Sequence, residues 1–201
     1  KQNTKTNKQK KNKKNTKNYL NYSGSNCSII ENGSLPIFYK NRIKKNRKLG
    51  EKIKVVTHHW SDNPKKGFDI YSFLGQSIAD SLLSSIEFTY IGRYSQHYSS
   101  LGIKLIKPVD KKTLSFLLPE HDLYLTASLE EAGANHVLEA MACGLPVLYR
   151  ESGGSIEEYC KEYGVCYKNN IVSLLDGLMK MANNYSFYKN KVDNYKRTLD
   201  D

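Results

Sequence analysis

The sequence predicts an α/β architecture: a parallel sheet covered by helices on both faces. Three observations predict it. From residue 53 onward, short apolar runs rich in β-branched and aromatic residues alternate with longer stretches of helical periodicity. The short runs are mostly apolar throughout rather than every second residue, as strands buried on both faces must be. Gly, Pro and Asn fall at the junctions between the two patterns.

The elements follow in order. Residues 53–57 (IKVVT) form a buried strand, and Asn63-Pro64 with Gly67 a loop. A helix covers about 68–83, with Ile70, Phe73, Leu74 and Ile78 at helical spacing. A second strand spans 86–91 (IEFTYI) and is closed by Gly92; a third spans 103–106. A short helix over 111–118 stops at Pro119. Residues 123–126 (LYLT) make the fourth strand, and 135–143 a helix ending at Gly144. The fifth strand is 146–149 (PVLY), followed by Gly153-Gly154 and a helix over 155–163 closed by Gly164. A last short strand lies at 165–167. Ile171, Leu174, Leu175, Leu178 and Met181 mark an amphipathic helix, and a polar helix over about 185–199 ends the chain. The whole reads as a Rossmann-like sheet, in which ligands bind at the C-terminal ends of the strands. That rule points to the loops after Thr57, Ile91, Thr126 and Tyr149.

The chain has 201 residues, room for one medium domain and a tail. Its net charge of +11 is unevenly spread: the first 50 residues carry +13 and the rest −2. Residues 1–18 contain no hydrophobic residue, so they cannot offset the entropy of ordering. We expect a disordered Lys/Asn-rich tail over 1–27, a hinge-like segment and solvated basic linker over 28–50, a ligand-binding domain over 51–183 and a C-terminal helix over 184–201. The near-neutral domain and a Lys/Asn/Tyr/Ile bias that A/T-rich coding would produce argue against nucleic acid as a partner. No apolar run approaches the length of a membrane helix, and no secretory signal opens the sequence. The expected location is cytoplasmic. A chain beginning at Lys1 is expected to be a fragment or a processed form. The four cysteines (27, 143, 160, 166) lack a C-x-x-C pair and zinc spacing with His, so no metal site is expected. Cys143, Cys160 and Cys166 are expected in the core, and Trp60 in packing.

The strongest chemical signal runs from Glu131 to Val147. Two carboxylates, Glu131 and Glu139, are separated by seven residues, the first in a small-residue loop and the second inside the next helix. Gly133, Ala134 and Asn135 are expected to leave their N–H groups open at that helix's N-terminus, where the helix dipole also favours an anion. Glu139 lies just over one turn in, where a carboxylate can accept bonds from a sugar diol. A glutamate at that sheet end must be solvated or bound to a polar partner.

These residues resemble the E-x7-E signature of retaining, nucleotide-sugar-dependent glycosyltransferases with the GT-B fold, of the family-four type. LEAMACGLPVL (138–148) matches the usual Glu-Ala-Met-Ala-Cys-Gly-x-Pro-Val almost entirely. SGGSIEEYC (152–160) matches the Gly-Gly-x-x-Glu turn, Lys66-Gly67 the Lys-Gly after the first strand, and Ile30-Glu31-Asn32-Gly33 with Phe38 the Asn-Gly segment near the interdomain hinge. The resemblance covers about 28–183 and implies the C-terminal, donor-binding half of the fold. It further implies that Glu139 binds the ribose hydroxyls, Glu131 faces the donor sugar, and Lys66 holds the diphosphate and offsets its charge as it leaves. Glu131 and Lys66 would be catalytic. His59, Lys66, Gly67, Gly92, Gly133, Ala134, Asn135, His136, Val137 and Glu139 would bind the donor, with backbone amides from Gly133 to Val137 cradling phosphates and sugar. No cofactor or metal is implied; the donor would be of the UDP- or GDP-sugar type and the acceptor a glycan, lipid or protein.

Two departures from the family pattern stand out. Gly133-Ala134 replaces the common Phe-Gly, and the arginine usual before Lys-Gly is replaced by His58-His59-Trp60-Ser61, where His59 could act as the phosphate donor. The acceptor-binding half is expected in missing upstream sequence or on a separate chain. The alternative is a non-catalytic, degenerate transferase domain whose basic tail binds nucleic acid or an anionic surface.

Overall fold

The computed structural model describes residues 32–48, 50–95 and 101–196. They contain six strands: β1 (Ile53–His59), β2 (Ile86–Gly92), β3 (Ile103–Ile106), β4 (Leu123–Thr126), β5 (Val147–Arg150) and β6 (Gly164–Tyr167). The α-helices are α1 (Pro36–Lys40), α2 (Phe68–Ala79), α3 (Lys111–Leu117), α4 (Asn135–Ala142), α5 (Ser155–Cys160), α6 (Ile171–Asn183) and α7 (Tyr185–Asp193). The tail expected over 1–27, Ile30-Glu31 of the hinge-like segment and the far end of the last helix lie outside the described residues.

All six strands are parallel and pair in the order β3-β2-β1-β4-β5-β6. The chain therefore builds outward from β1 to β3, then crosses back to start β4 on the other side of β1. The strand order reverses between β1 and β4, the place where open α/β sheets take ligands, in a crevice between the loops leaving those strands. Strand alternation divides the core into two layers. Val56 and Tyr124 face one layer with Leu114, Leu138, Met141 and Ile156, from α3, α4 and α5. Val55 and Leu125 face the other with Tyr71, Leu74, Leu174 and Leu178, from α2 and α6. No helix among the described residues is long and apolar enough to cross a membrane.

Every predicted strand is present, with ends shifted by up to two residues. β1 runs on through His58 and His59, which pair with Ile91 and Gly92 of β2 and are buried despite being polar. The 68–83 helix stops at Ala79; beyond it Leu82 is 75% exposed, while Leu83 still packs against the core from a turn. The helix expected over 155–163 ends at Cys160. Pro119 does not end the chain's helical path outright: it enters a 3-10 turn, Leu118–Glu120.

The unit Gly33–Asp201 takes in both flanks of the expected 51–183 domain. Phe38 of α1 is fully buried, as is Val192 of α7, and Tyr185 and Tyr188 are nearly so. The solvated basic linker expected over 28–50 needs correction at Arg42. Its guanidinium donates to the carbonyls of Met141 (3.1 Å) and Ala142 (2.9 Å) at the end of α4, and to those of Asp193 (2.7 Å) and Tyr195 (3.2 Å). Lys189 joins it, donating to Gly144 O at 3.0 Å and to Asp193 Oδ1 at 2.6 Å. Two cations thus cap the negative end of α4. Gly144, at φ 81°, leaves room for them: a Cβ there would lie 2.7 Å from Lys189 Nζ. Cys143 and Cys160 are buried as expected, whereas Cys166 is exposed on the edge strand β6.

Candidate active site

The loop between β1 and α2 and the loop between β4 and α4 meet over the crevice. Gly67, at φ 85°, caps the 3-10 turn Pro64–Lys66 and starts α2. A Cβ on Gly67 would lie 2.3 Å from Ala127 Cβ, so glycine is what lets the two loops touch. Leu129 N donates to Lys65 O at 2.9 Å, which fixes the loops in register. Two ion pairs follow from that register: Lys65 with Glu130, fully in solvent, and Lys66 Nζ with Glu131 Oε1 at 2.5 Å, largely shielded. The loop is tied on its far side by a bridge between Glu131 and Gly154, with Ser155 N donating to Glu131 O at 2.8 Å.

Glu139, one turn into α4, is only 4% exposed. Its Oε2 meets His58 Nε2 at 3.0 Å and its Oε1 accepts from Lys111 Nζ at 3.0 Å. Behind His58 lies Tyr124, fully buried, whose hydroxyl is 3.1 Å from His58 Nδ1 and accepts from His58 N at 3.1 Å. The same hydroxyl lies 3.3 Å from His58 O; when it donates to Nδ1 instead, Nε2 carries the proton that faces the carboxylate. Burial pushes the Glu139 carboxyl up; His58 and Lys111 outweigh it and hold the group below its ordinary value. The polar partners that the sequence required for Glu139 are therefore side chains of the protein.

His59 lies on the other side of the strand. Strand alternation turns it to the opposite face from His58, where Nε2 lies 2.9 Å from the Tyr71 hydroxyl and 3.3 Å from Thr57 Oγ1. It is 3% exposed, and burial, with His136, His58 and Lys66 nearby, keeps its pKa well below the usual histidine value. It is an uncharged histidine held inside the domain. His136 lies in the first turn of α4, 3.1 Å from Thr126 Oγ1, and burial lowers its pKa well below normal too. The His136 ring lies 6.3 Å from that of His58 and 5.1 Å from that of His59, yet no group of three or more His, Cys, Asp or Glu among the described residues is placed to hold a metal ion.

The bare-amide expectation also needs correction. Ala134 N donates to Ser155 Oγ at 3.1 Å and Asn135 N to Gly133 O at 3.0 Å, because the N-terminus of α5 is drawn up against that of α4. Gly133 is exposed at the loop tip and Val137 is fully buried beneath it. Gly92 has a packing reason of its own: at φ 139° its missing Cβ makes way for His59 O, which would lie 1.9 Å away. Trp60, expected in packing, is 45% exposed at the end of β1. His58 as the partner of Glu139, Tyr124 and Lys111 were not singled out from the sequence. The parity of β1 carries a signal for the first: His58 shares a face with Val56, the face that α4 covers.

The family Glycosyl transferases group 1 matches residues 64–198, more than half of the chain. The chain belongs to the group 1 glycosyltransferases. Among solved structures, this transferase chain superposes on WaaG, a glycosyltransferase involved in lipopolysaccharide biosynthesis, with a TM-score of 0.65 and 18% identity over 84% of this chain and 51% of that one. It is also similar to sucrose-phosphate synthase from Thermosynechococcus elongatus (TM-score 0.57, 13% identity, 71% of this chain, 39% of that one). A third likeness is the catalytic domain of starch synthase IV from Arabidopsis thaliana bound to ADP and acarbose (TM-score 0.56, 14% identity, 82% and 38%). No curated protein matches the sequence. The transferase chain spans about half, or less, of the length of these structures, and its sheet is that of the C-terminal domain of GT-B glycosyltransferases.

Proposed function

We propose that this chain is the donor-binding half of a retaining glycosyltransferase that moves a hexosyl group from a nucleotide sugar to a glycan, lipid or protein acceptor. One observation carries the reading. Lys66, Glu131 and Glu139 lie at the C-terminal ends of β1 and β4, where the strand order reverses, the first two as a shielded pair at 2.5 Å. A cation beside a carboxylate at that point suits a diphosphate sugar: Lys66 neutralises the leaving diphosphate, and Glu131 faces the sugar. Glu139 accepts from the ribose hydroxyls, and Gly133, His136 and Asn135 at the start of α4 line the sugar's path. Gly67 holds the two loops at contact distance so that all of these act on one ligand.

In the reaction, the bond between the anomeric carbon and the diphosphate oxygen breaks and the diphosphate departs with the electron pair. The acceptor oxygen bonds to the same face of the anomeric carbon, and its proton passes to the departing phosphate oxygen. The donor is a UDP- or GDP-sugar, with an ADP-sugar as the third case to test, and the acceptor-binding groups come from a second domain, upstream or on another chain. Among the described residues three unpaired thiols, Cys143, Cys160 and Cys166, suit a reducing cytoplasm.

The test is calorimetric titration of the chain with UDP-, GDP- and ADP-sugars. At least one binds at millimolar concentration or below, and Glu139→Ala weakens it by roughly 1–3 kcal/mol, the cost of hydrogen bonds to a charged group. No binding by any of the three, with the variant indistinguishable from wild type, contradicts the reading.

A further inference from the structure

The two partners of Glu139 differ in kind. His58 is 2% exposed, and the fully buried Tyr124 hydroxyl fixes it by both its ring Nδ1 and its backbone N–H. Turning its ring would break bonds in a place with no water to replace them. Lys111 is half-exposed, at the start of α3, on a long flexible stem that solvent accepts as readily as the carboxylate does. One carboxylate oxygen is therefore anchored and the other lightly covered.

We propose that His58, backed by Tyr124, is the positioning residue that fixes Glu139 by Oε2 and aims Oε1 into the crevice, with Lys111 a cover that a ligand hydroxyl displaces. This rests on the reading of Glu139 as the ribose seat and adds how that seat is built. A carboxylate pinned on one side accepts a hydroxyl at one place only, so the seat discriminates a ribose from a deoxyribose. Among the described residues the other titratable groups around Glu139 are His58 from β1, Tyr124 from β4, Lys111 from α3 and Cys143 just past the end of α4. Burial raises the pKa of Tyr124 and of Cys143, so both stay neutral through the physiological range. Without His58, Lys111 alone opposes burial and the Glu139 carboxyl moves up.

The experiment measures the affinity of the full chain for a ribonucleoside diphosphate and for its 2′-deoxy and 3′-deoxy counterparts from pH 5 to 8. UDP, GDP and ADP are the probes. Wild type prefers the ribose form over at least one deoxy form by about tenfold, the worth of one hydrogen bond to a charge. Glu139→Gln and His58→Leu both bring that ratio close to one. His58→Leu also makes binding fall as pH drops towards about 5, and His58→Gln, which keeps a neutral donor, recovers most of the ratio at neutral pH. Lys111→Met keeps the ratio. A folded His58→Leu with wild-type ratio and pH profile overturns the positioning role while leaving the ribose seat intact. So does Lys111→Met with the ratio of Glu139→Gln, a result that stands even if His58→Leu does not fold. Wild type binding none of the three diphosphates, or showing no ratio that Glu139→Gln removes, overturns the seat and the positioning role together.

Discussion

His58 and His59 are neighbours in sequence and do different work because a strand turns successive side chains to opposite faces. His58 reaches Glu139 under α4, and His59 reaches Tyr71 under α2. The dipeptide showed that two imidazoles stand at the end of β1. It did not show which one faces the carboxylate, because β1 is two residues longer than its apolar run and the polar residues left the strand's end unmarked. Lys66 and Glu131 were legible as a pair of roles, but their direct contact depends on the Lys65–Leu129 register, which no local pattern encodes. Gly67→Ala tests that register. The φ of 85° and a Cβ 2.3 Å from Ala127 Cβ force the loops apart. We expect a loss of stability of at least about 1–2 kcal/mol, the scale of a residue held in an unfavourable backbone region, together with loss of nucleotide-sugar binding. Tyr167→Phe has the opposite sign. The Tyr167 hydroxyl is buried without a hydrogen-bond partner among the described residues, so removing it should stabilise the chain by about 1 kcal/mol in urea unfolding.

At the scale of elements, the parallel sheet was readable because the strands are short, mostly apolar runs, several of them bounded by Gly, Pro or Asn, and the helices between them keep an apolar stripe. What escaped was α1. Five residues are too few to show periodicity, and a basic run follows at once. The same basic run concealed Arg42, whose role comes from long-range contacts with the end of α4 and the chain after α7. The high Lys/Asn content made one more cation look like composition. Capping of α4 matters for the site because the same helix carries His136 and Glu139 at its other end. Arg42→Ala strips the Met141 and Ala142 carbonyls of their partner, and we expect it to cost about 2 kcal/mol. Lys189→Met removes the second cation and leaves the Asp193 carboxylate with Arg42 alone. The two variants share partners, so their effects should not add; thermal unfolding of the single and double variants reads this directly.

For the whole molecule, several histidines are folded uncharged. Burial lowers the pKa of His59 and of His136 well below the usual value, and that of His121 less strongly. The unfolded chain takes up protons below about pH 6.5 that the folded chain refuses. Stability is therefore full above that pH and falls as the pH drops towards the folded-state values, by up to about 1.4 kcal/mol per pH unit for each histidine. The lowered pKa of Glu139 acts in a more acidic window, where its stabilising contribution is lost only as pH falls through the folded-state value. Urea midpoints at pH 7.5, 6 and 5 should decline steadily; a flat series contradicts charge-free burial of these rings. The molecule also offers a rival place for an anion. A cleft of about 310 Å³, lined by Lys52, Lys54, Lys104 and His121 among others, lies at the N-terminal ends of β1–β3, away from the crevice. It lacks a shielded cation–carboxylate pair and the meeting of two loops. The decisive measurement is a map of backbone amide shifts in isotope-labelled protein as UDP, GDP or ADP is added. Shifts concentrated at Lys66, Gly67 and Gly133–Val137, and absent in Glu139→Ala, are what the account predicts. Shifts confined to Lys52, Lys54 and Lys104, or no shifts at millimolar nucleotide, would contradict it.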